Sequence, residues 1–582
     1  MSLGRGRELR LCFLGGLTLA LLQWWPMFRV AGATGFGDWQ MVHHNWEAAF
    51  VAVSRFGEWP LWDPFHCGGV SIFGNPESQV YAPWFWLSFL FGTVFAVKLM
   101  VLGHIACASA GVYWLARRRY ELRPEAAALA AIVWSCCGCF VWDAAGGHAT
   151  FLSFAFAPWL TFFIHRGEEL VREAAAVGAL LLLTLVEGGT YPLPFFLIWT
   201  VFELVVRAVA RKDAFGSVRF AAISYGLLAV CGAIRFVPIY LALKANPRQV
   251  PNHDALSLSD LWTMLTARSH PWRVPGHPFV WAEYGSYVGV VVVVLALVGL
   301  AIVLRRRCWH LMVGLAIFTT LMLGNVGKLA PYSLLHHLPV YDSLRVPSRF
   351  AIFVTFYLAL MAAFAIDDML RRVRGARLAT SVGVVVALGV CCDLLVASWP
   401  QVNMWAGKPL SNEAAAPEFH LVARNYHESY ASYPRLNLGT RVCYVGGMNW
   451  PVSSALWLGA RAQIDLPTQA GQLLRWERSP NTFRARVALR TAGRLRFNQN
   501  AARGFVSNTG TVTETNGLLA LDLPAGEHDL TVRYRPAELV PCAAVSGAGL
   551  LGLLALLIRR RKSVAYAGVT SSSAAMSGAR SA

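Results

Sequence analysis

Charge is what this chain of 582 residues has least of. Asp, Glu, Lys and Arg make up 14% of it against 56% hydrophobic residues, whereas a soluble domain carries about 25% charged residues. An ordinary water-soluble enzyme is therefore excluded. The short signatures of several chemistries are lacking too. Nothing resembles a phosphate-binding P-loop or a dinucleotide fingerprint, no serine nucleophile elbow is evident, and H-E-x-x-H is absent. Paired C-x-x-C knuckles for structural zinc are missing. Most of the 12 cysteines lie in hydrophobic runs, Cys136, Cys137 and Cys139 among them, where sulfur packs as a small apolar group. Cys67 and Cys443 look outward from polar segments. A bond between them is permitted in an oxidising compartment, but the sequence does not say whether they meet.

Long apolar runs are what the chain has instead. A bilayer core about 30 Å thick asks for about 20 apolar residues per helix. Runs of roughly that length stand near 9–30, 93–116, 124–142, 150–165, 171–188, 190–210, 217–241, 285–304, 309–327, 350–369, 378–398 and 538–558, about twelve in all. Arginine sets their orientation. Arg5, Arg7 and Arg10, Arg117 to Arg119, Arg166 and Arg172, Arg211 with Lys212, Arg305 to Arg307, Arg371 to Arg377 and Arg559 to Arg561 fall at alternate turns. Short basic loops stay in the cytoplasm, so twelve spans put both termini there and the longer loops outside. The expected location is a bacterial plasma (inner) membrane. The net charge of +19 is thereby a topology signal. Spread over short turns, it forms no nucleic-acid surface.

Hydrophobicity stops near Pro400 and returns near Val540. Between them, helix-like pieces (EAAAPEFHLVARNYHESY) give way to short alternating runs with turn signals at Asn516-Gly517 and Pro524 to Gly526. The expected fold is an all-α polytopic membrane protein with a small extracytoplasmic β-sandwich before its last helix. Its parts are a multispan module at 1–398 with a first outer loop at 31–92, a mixed then β-rich outer domain at 399–536, a last span at 537–560, and a cytoplasmic tail at 561–582 whose Ser, Ala and Gly content predicts disorder.

Candidate chemistry gathers on the outer side. The loop from Gly35 to Pro83 is too polar and too broken by Gly and Pro to enter a bilayer, yet it opens with Asp38. That carboxylate is either a loop charge or cap for a helix starting near Trp39, or a general base held under aromatic cover. The glycines at 35 and 37, Trp39, and an amphipathic stretch to Arg55 that would lie along the interface favour the second. WDAAGGHATF supplies Asp143 and His148, which is either structural or a hydrogen-bond partner for a sugar or phosphate oxygen. WAEYGSYVG supplies Trp281, Glu283, Tyr284 and Tyr287, whose rings are interfacial anchors or a wall for a sugar ring. In SLRVPSRF, Arg345 and Arg349 are four apart and Pro347 suits a first helical turn. On one face of a helix N-terminus they would snorkel to lipid phosphates or grip a substrate phosphate. His43, His44, Glu47 and Asp38 are close in sequence, and Asp38 is the candidate ligand for a divalent ion, Mg or Mn, although no cofactor is required. Glu187 and Asp393 lie in apolar spans, marking a proton path or, for Glu187, the wall of the same cavity.

These segments in this order (GDWQMVHHNWEAAF, GEWPLWDPFHCGG, GNPESQVYAPW, GGHATF, EGGTYP, LRVPSRF and LDLPAGEHDLTVRYRP) resemble the YfhO-like bacterial membrane proteins of the C-type (GT-C) glycosyltransferase superfamily, over about residues 10–558. The resemblance implies a GT-C-like fold, a sugar donor on a polyprenyl phosphate, a catalytic acid in the first outer loop matched by Asp38, and a donor-phosphate role for Arg345 and Arg349. His148, Trp39, Glu283 and Tyr284 are the expected substrate contacts. Where related terminal modules carry a Trp after a Gly, this chain has Phe505, which weakens a Trp-stacked sugar site there. The expected function is a membrane hexosyltransferase that moves one sugar, with inversion, to a glycan, lipid or protein acceptor outside the cytoplasm. Asp38 would deprotonate the acceptor hydroxyl, or align it through a metal. A transporter or flippase of lipid-linked saccharide and a noncatalytic envelope scaffold are the rival readings.

Overall fold

A computed structural model describes residues 5–35, 37–248, 250, 253–269, 271–405, 409–423, 430–446 and 448–558. All twelve apolar runs are helical over most of their length. Among the described residues, eight helices are long and apolar enough to cross a membrane: Gly6–Phe28, Thr93–Arg118, Pro124–Gly146, Pro192–Arg211, Ala214–Cys231, Pro347–Arg372, Ala376–Asn403 and Leu539–Ile558. The other runs are shortened at their ends. Leu170–Val186 stops before Gly188 and Gly189, Val290–Arg305 starts only after Gly289, and the run near 150–165 opens as the tight 3-10 turn Ala149–Phe156. Glycine pairs and tight turns weaken helix continuity.

The helix within Pro347–Arg372 is the axis of the bundle, wholly enclosed by its neighbours. Around it Phe195 stacks on Phe350 at 3.8 Å and Trp199 on Phe353 at 4.4 Å. The arginine clusters are tied together at one end. Asp367, fully buried, accepts from Arg306 and Arg371 (both 2.7 Å) and from the Arg123 backbone N–H (2.8 Å), while Glu8 pairs with Arg117 and Arg118. Such pairing lets the dense positive charge pack without like-charge repulsion.

The outer domain carries two four-stranded sheets. One orders Thr511–Thr515, Leu518–Leu523, Gly493–Asn500 and Ile464–Asp465; the other orders Gly471–Arg478, Thr482–Leu489, Gly526–Tyr534 and Phe505–Ser507. Phe497, Leu495 and Leu521 of the first face Phe483, Val487 and Val532 of the second in one apolar core, the arrangement of a sandwich. Asn516-Gly517 closes a two-residue hairpin with φ of 53° and 78°. The Pro524 to Gly526 turn, expected to close a hairpin, instead passes the chain from one sheet to the other. The expected helical pieces before the sandwich are also absent among the described residues there. Pro417 interrupts them, and His420–Val422 pairs as a parallel strand with Leu438–Thr440. Residues 559–582 and 424–429 lie outside the described residues.

The first outer loop joins bundle to sandwich. Leu61, Trp62 and Phe73 enter the sandwich core. Asn500 donates to the carbonyls of Cys67 and Gly69, and Asn481 accepts from the backbone of Trp62 at 3.0 Å. Cys67 and Cys443 are joined in a disulfide. The loop and the outer domain thus form one roof over the outer end of the bundle.

Candidate active site

Under that roof lies a cavity of about 260 Å³. Helix Trp39–Phe56 forms one wall with Met41, Val42, Asn45 and Trp46. This helix was expected along the membrane interface. It is instead buried between bundle and roof: Val42 and Trp46 pack into the helical core, Ala48 and Val51 against the outer domain, and its polar His44 and Glu47 find partners in Asp63 and Arg435.

Asp38 precedes this helix, but its side chain makes no capping bond. Instead it faces the cavity, its backbone N–H donating to the carbonyl of Gly146 at 2.9 Å. Two backbones approach closely here. Gly147 has φ +90°, and a Cβ on it would lie 2.2 Å from the Trp39 nitrogen; glycine alone fits. The approach sets His148 between two carboxylates, with Nδ1 3.3 Å from Asp143 Oδ1 and Nε2 3.8 Å from Asp38 Oδ2. Burial raises Asp38 above the usual carboxylate range, and the neighbouring His148 charge works against that. Burial by itself would lower His148, but the hydrogen bond it donates to Asp143 and the charge of Glu283 hold it raised.

Arg345 and Arg349 line the same cavity by a different geometry from the one their spacing predicts. A residue before proline is excluded from the α region, and Val346 takes φ +68°, a rare conformation for a β-branched side chain. The helical turn therefore begins at Pro347, as the 3-10 segment Pro347–Phe350, and Arg345 stands outside it. The two arginines do not share a helical face. Arg349 is bound through Nε and a terminal nitrogen to both carboxylate oxygens of Glu283, at 2.9 and 2.8 Å, and its guanidinium lies over Tyr191 and Phe151. Its charge is already matched. Arg345 has no ion pair among the described residues, its backbone N–H donates to the Tyr191 hydroxyl at 3.1 Å, and it keeps a guanidinium to offer.

Two expected substrate contacts are elsewhere. Trp39 is fully buried, with Nε1 donating to the Ala144 carbonyl at 2.8 Å and its ring 4.6 Å from Trp405. Tyr284 is buried against His277 and Phe279 and lines no part of this cavity. Both aromatic rings find more apolar contact in the core than at the opening. Glu187, buried, is held by His104 (3.0 Å) and Trp84 (3.1 Å), and Asp393 binds Tyr287 and Arg268, so neither marks a free proton path. The run of His43, His44 and Glu47 is dispersed by helical rotation. Glu47 pairs with Arg435, and His44 bridges the Tyr430 carbonyl (3.0 Å) and Asp63 (2.9 Å). His44, Asp63 and His66 are close enough to hold a metal ion, though none lines the cavity.

Arg248, expected on the same face from the loop at 244–284, also lines the cavity, whereas sequence reasoning did not single out Glu77 and Tyr191. Glu77 sits in GNPES and Tyr191 in EGGTYP, segments whose order was noticed without these side chains being singled out.

Residues 83–405 match a family described as the 6-pyruvoyl-tetrahydropterin synthase related domain of membrane proteins. No curated protein matches the sequence. Among solved structures, the chain is similar to the arabinofuranosyltransferase AftD from Mycobacteria, at 16% identity and TM-score 0.42, over 70% of this chain and 27% of that one. It is also similar to the Archaeoglobus fulgidus oligosaccharyltransferase tethered with an acceptor peptide, at 13% identity and TM-score 0.43, over 75% and 63%. The chain thus spans less than two thirds of the length of either.

Proposed function

We propose that this chain, which belongs to the 6-pyruvoyl-tetrahydropterin synthase related family of membrane proteins, is a membrane glycosyltransferase. It moves one sugar from a polyprenyl-phosphate donor to an acceptor outside the cytoplasm. The observation that carries the reading is the shared cavity: a carboxylate from the first loop and an unpaired arginine more than 300 residues later line one recess where an apolar bundle meets its polar roof. A volume of 260 Å³ is just under the range of about 300–1,000 Å³ for ligand pockets. That is room for a single sugar ring with its phosphate. The resemblance to YfhO-like proteins points the same way. The disulfide in the roof suits an oxidising side of the membrane, and the arginine-rich end suits the cytoplasm.

In this reading the isoprenoid lies against the apolar helices. Asp38, set by His148, aligns the acceptor hydroxyl behind the anomeric carbon. The hydroxyl oxygen attacks as its proton passes to a carboxylate of the cavity, the bond to the donor phosphate breaks in line with its electron pair leaving on the phosphate, and the centre inverts. Arg345 meets the charge that grows on the leaving phosphate, a preorganised contact worth most in the transition state. The Arg349–Glu283 pair holds the floor. If a divalent ion takes part, Asp38 is its ligand. Asp38→Asn keeps the shape and removes the charge, so transfer falls by about 100-fold or more with fold and expression intact. Sugar transfer by purified protein measures this, and full activity in the variant removes Asp38 from the mechanism.

A further inference from the structure

The carboxylates that line the cavity differ in what holds them. Glu283 is locked to Arg349, and Asp38 has His148 beside it. Glu77 has no such partner: among the described residues no ion pair or hydrogen bond reaches its carboxylate, which projects into the cavity.

It is nevertheless held firmly in place. The Glu77 backbone N–H donates to Asn75 Oδ1 at 2.9 Å. Arg235, fully buried on helix Ala233–Ala245, donates to the carbonyls of Phe73 (3.1 Å), Asn75 (2.8 Å) and Ser78 (3.2 Å). A guanidinium has five donors in a rigid fork. Here that fork has no acidic partner among the described residues, and it clamps the loop on both sides of Glu77. Gly446 completes the seat, since a Cβ there would lie 1.9 Å from the Glu77 carboxyl carbon.

We propose that Glu77 is the general base of the transfer and that Arg235 is the residue that positions it. This rests on the sugar-transfer reading above. The acceptor O–H bond breaks and its proton passes to a Glu77 oxygen. The freed electron pair forms the new bond to the anomeric carbon, and the pair of the broken C–O bond leaves with the donor phosphate. Asp38, beside His148, aligns the hydroxyl. A base of this kind works best when its pKa is near the operating pH. Burial and the charge of Asp38 push Glu77 up to about 7, against the pull of Arg248, His148 and Arg349. Those groups, with Glu283 and Arg345, are the charges that line the cavity around it.

The test uses the full chain in nanodiscs, decaprenyl phosphate carrying tritiated hexoses or pentoses as donor, and an envelope extract as acceptor. A base acts when ionised, so wild-type turnover rises with pH through a midpoint near 7. Glu77→Gln is expected to lose about 100-fold in turnover and the whole of that pH limb, while native mass spectrometry shows decaprenyl phosphate still bound to a folded protein. Arg235→Lys, which keeps the charge but not the fork, is expected to move the midpoint and lower turnover less. Wild-type turnover with an intact pH limb in Glu77→Gln overturns the base, as does loss of the limb in Asp38→Asn but not in Glu77→Gln. Wild type that transfers no sugar defeats the transfer reading, and the base with it.

Discussion

Two arginines four residues apart carry different loads, and substitution should separate them. Arg349 is the sole ion-pair partner among the described residues of Glu283, whose side chain is 11% exposed. Removing one member of a buried pair strands the other, at a cost of roughly 3–5 kcal/mol. Arg349→Ala is therefore expected to lower the unfolding midpoint sharply. Arg345→Ala leaves no carboxylate stranded, so stability should hold while affinity for decaprenyl phosphate falls. Arg345→Lys, retaining a point charge, should lose less of that affinity. Thermal unfolding alongside titration with decaprenyl phosphate reads both, and equal behaviour of the two alanine variants would argue against this division. At this scale the sequence pointed to Asp38, His148, Glu283, Arg345 and Arg349, which line one cavity. It did not supply their pairings, because a guanidinium that holds a carboxylate and one that waits for a phosphate look alike in sequence.

Local backbone geometry governs the next scale. The segment at Gly146 to His148 presses on the start of helix Trp39–Phe56 only because Gly147 has no side chain and sits at φ +90°. Gly147→Ala would force them apart, at a cost of roughly 1–3 kcal/mol in strain. The contact of 3.8 Å between His148 and Asp38 would open with it. We expect a folded protein with lost transfer and with decaprenyl phosphate binding kept, since Arg345 lies on another segment. Retained wild-type turnover in Gly147→Ala would show that the approach does not set the site. Helix positions were legible in sequence, because runs of about 20 apolar residues have few other outlets. Whether helix Trp39–Phe56 lay on a surface or inside was not, since an amphipathic helix fits a lipid interface and a protein groove equally well.

Over the whole molecule, the cavity exists because a roof built from two distant stretches closes it. The Cys67–Cys443 bond spans 376 residues of sequence and ties the first loop to the segment before the sandwich. Removing a disulfide that closes a long loop costs about 2–4 kcal/mol. In Cys67→Ser the roof is expected to loosen. Transfer should fall and protease sensitivity rise between residues 59 and 83, while the helical signal of the bundle remains. Unchanged proteolysis would mean that the sandwich core, through Trp62 and Phe73, holds the roof without the bond.

What the sequence determined by itself was the sum of local tendencies. Apolar length gave helices, arginine at alternate turns gave a basic end, and period-two alternation after residue 470 gave strands. Each depends on neighbours within a few residues of one another. The site depends on contacts between residues about 65 to 160 apart, such as Asp38 with His148, Glu283 with Arg349, and Arg235 with the loop of Glu77. Only the packed chain decides which charges meet and which are left free, because burial makes an unmatched charge expensive and so selects the partners.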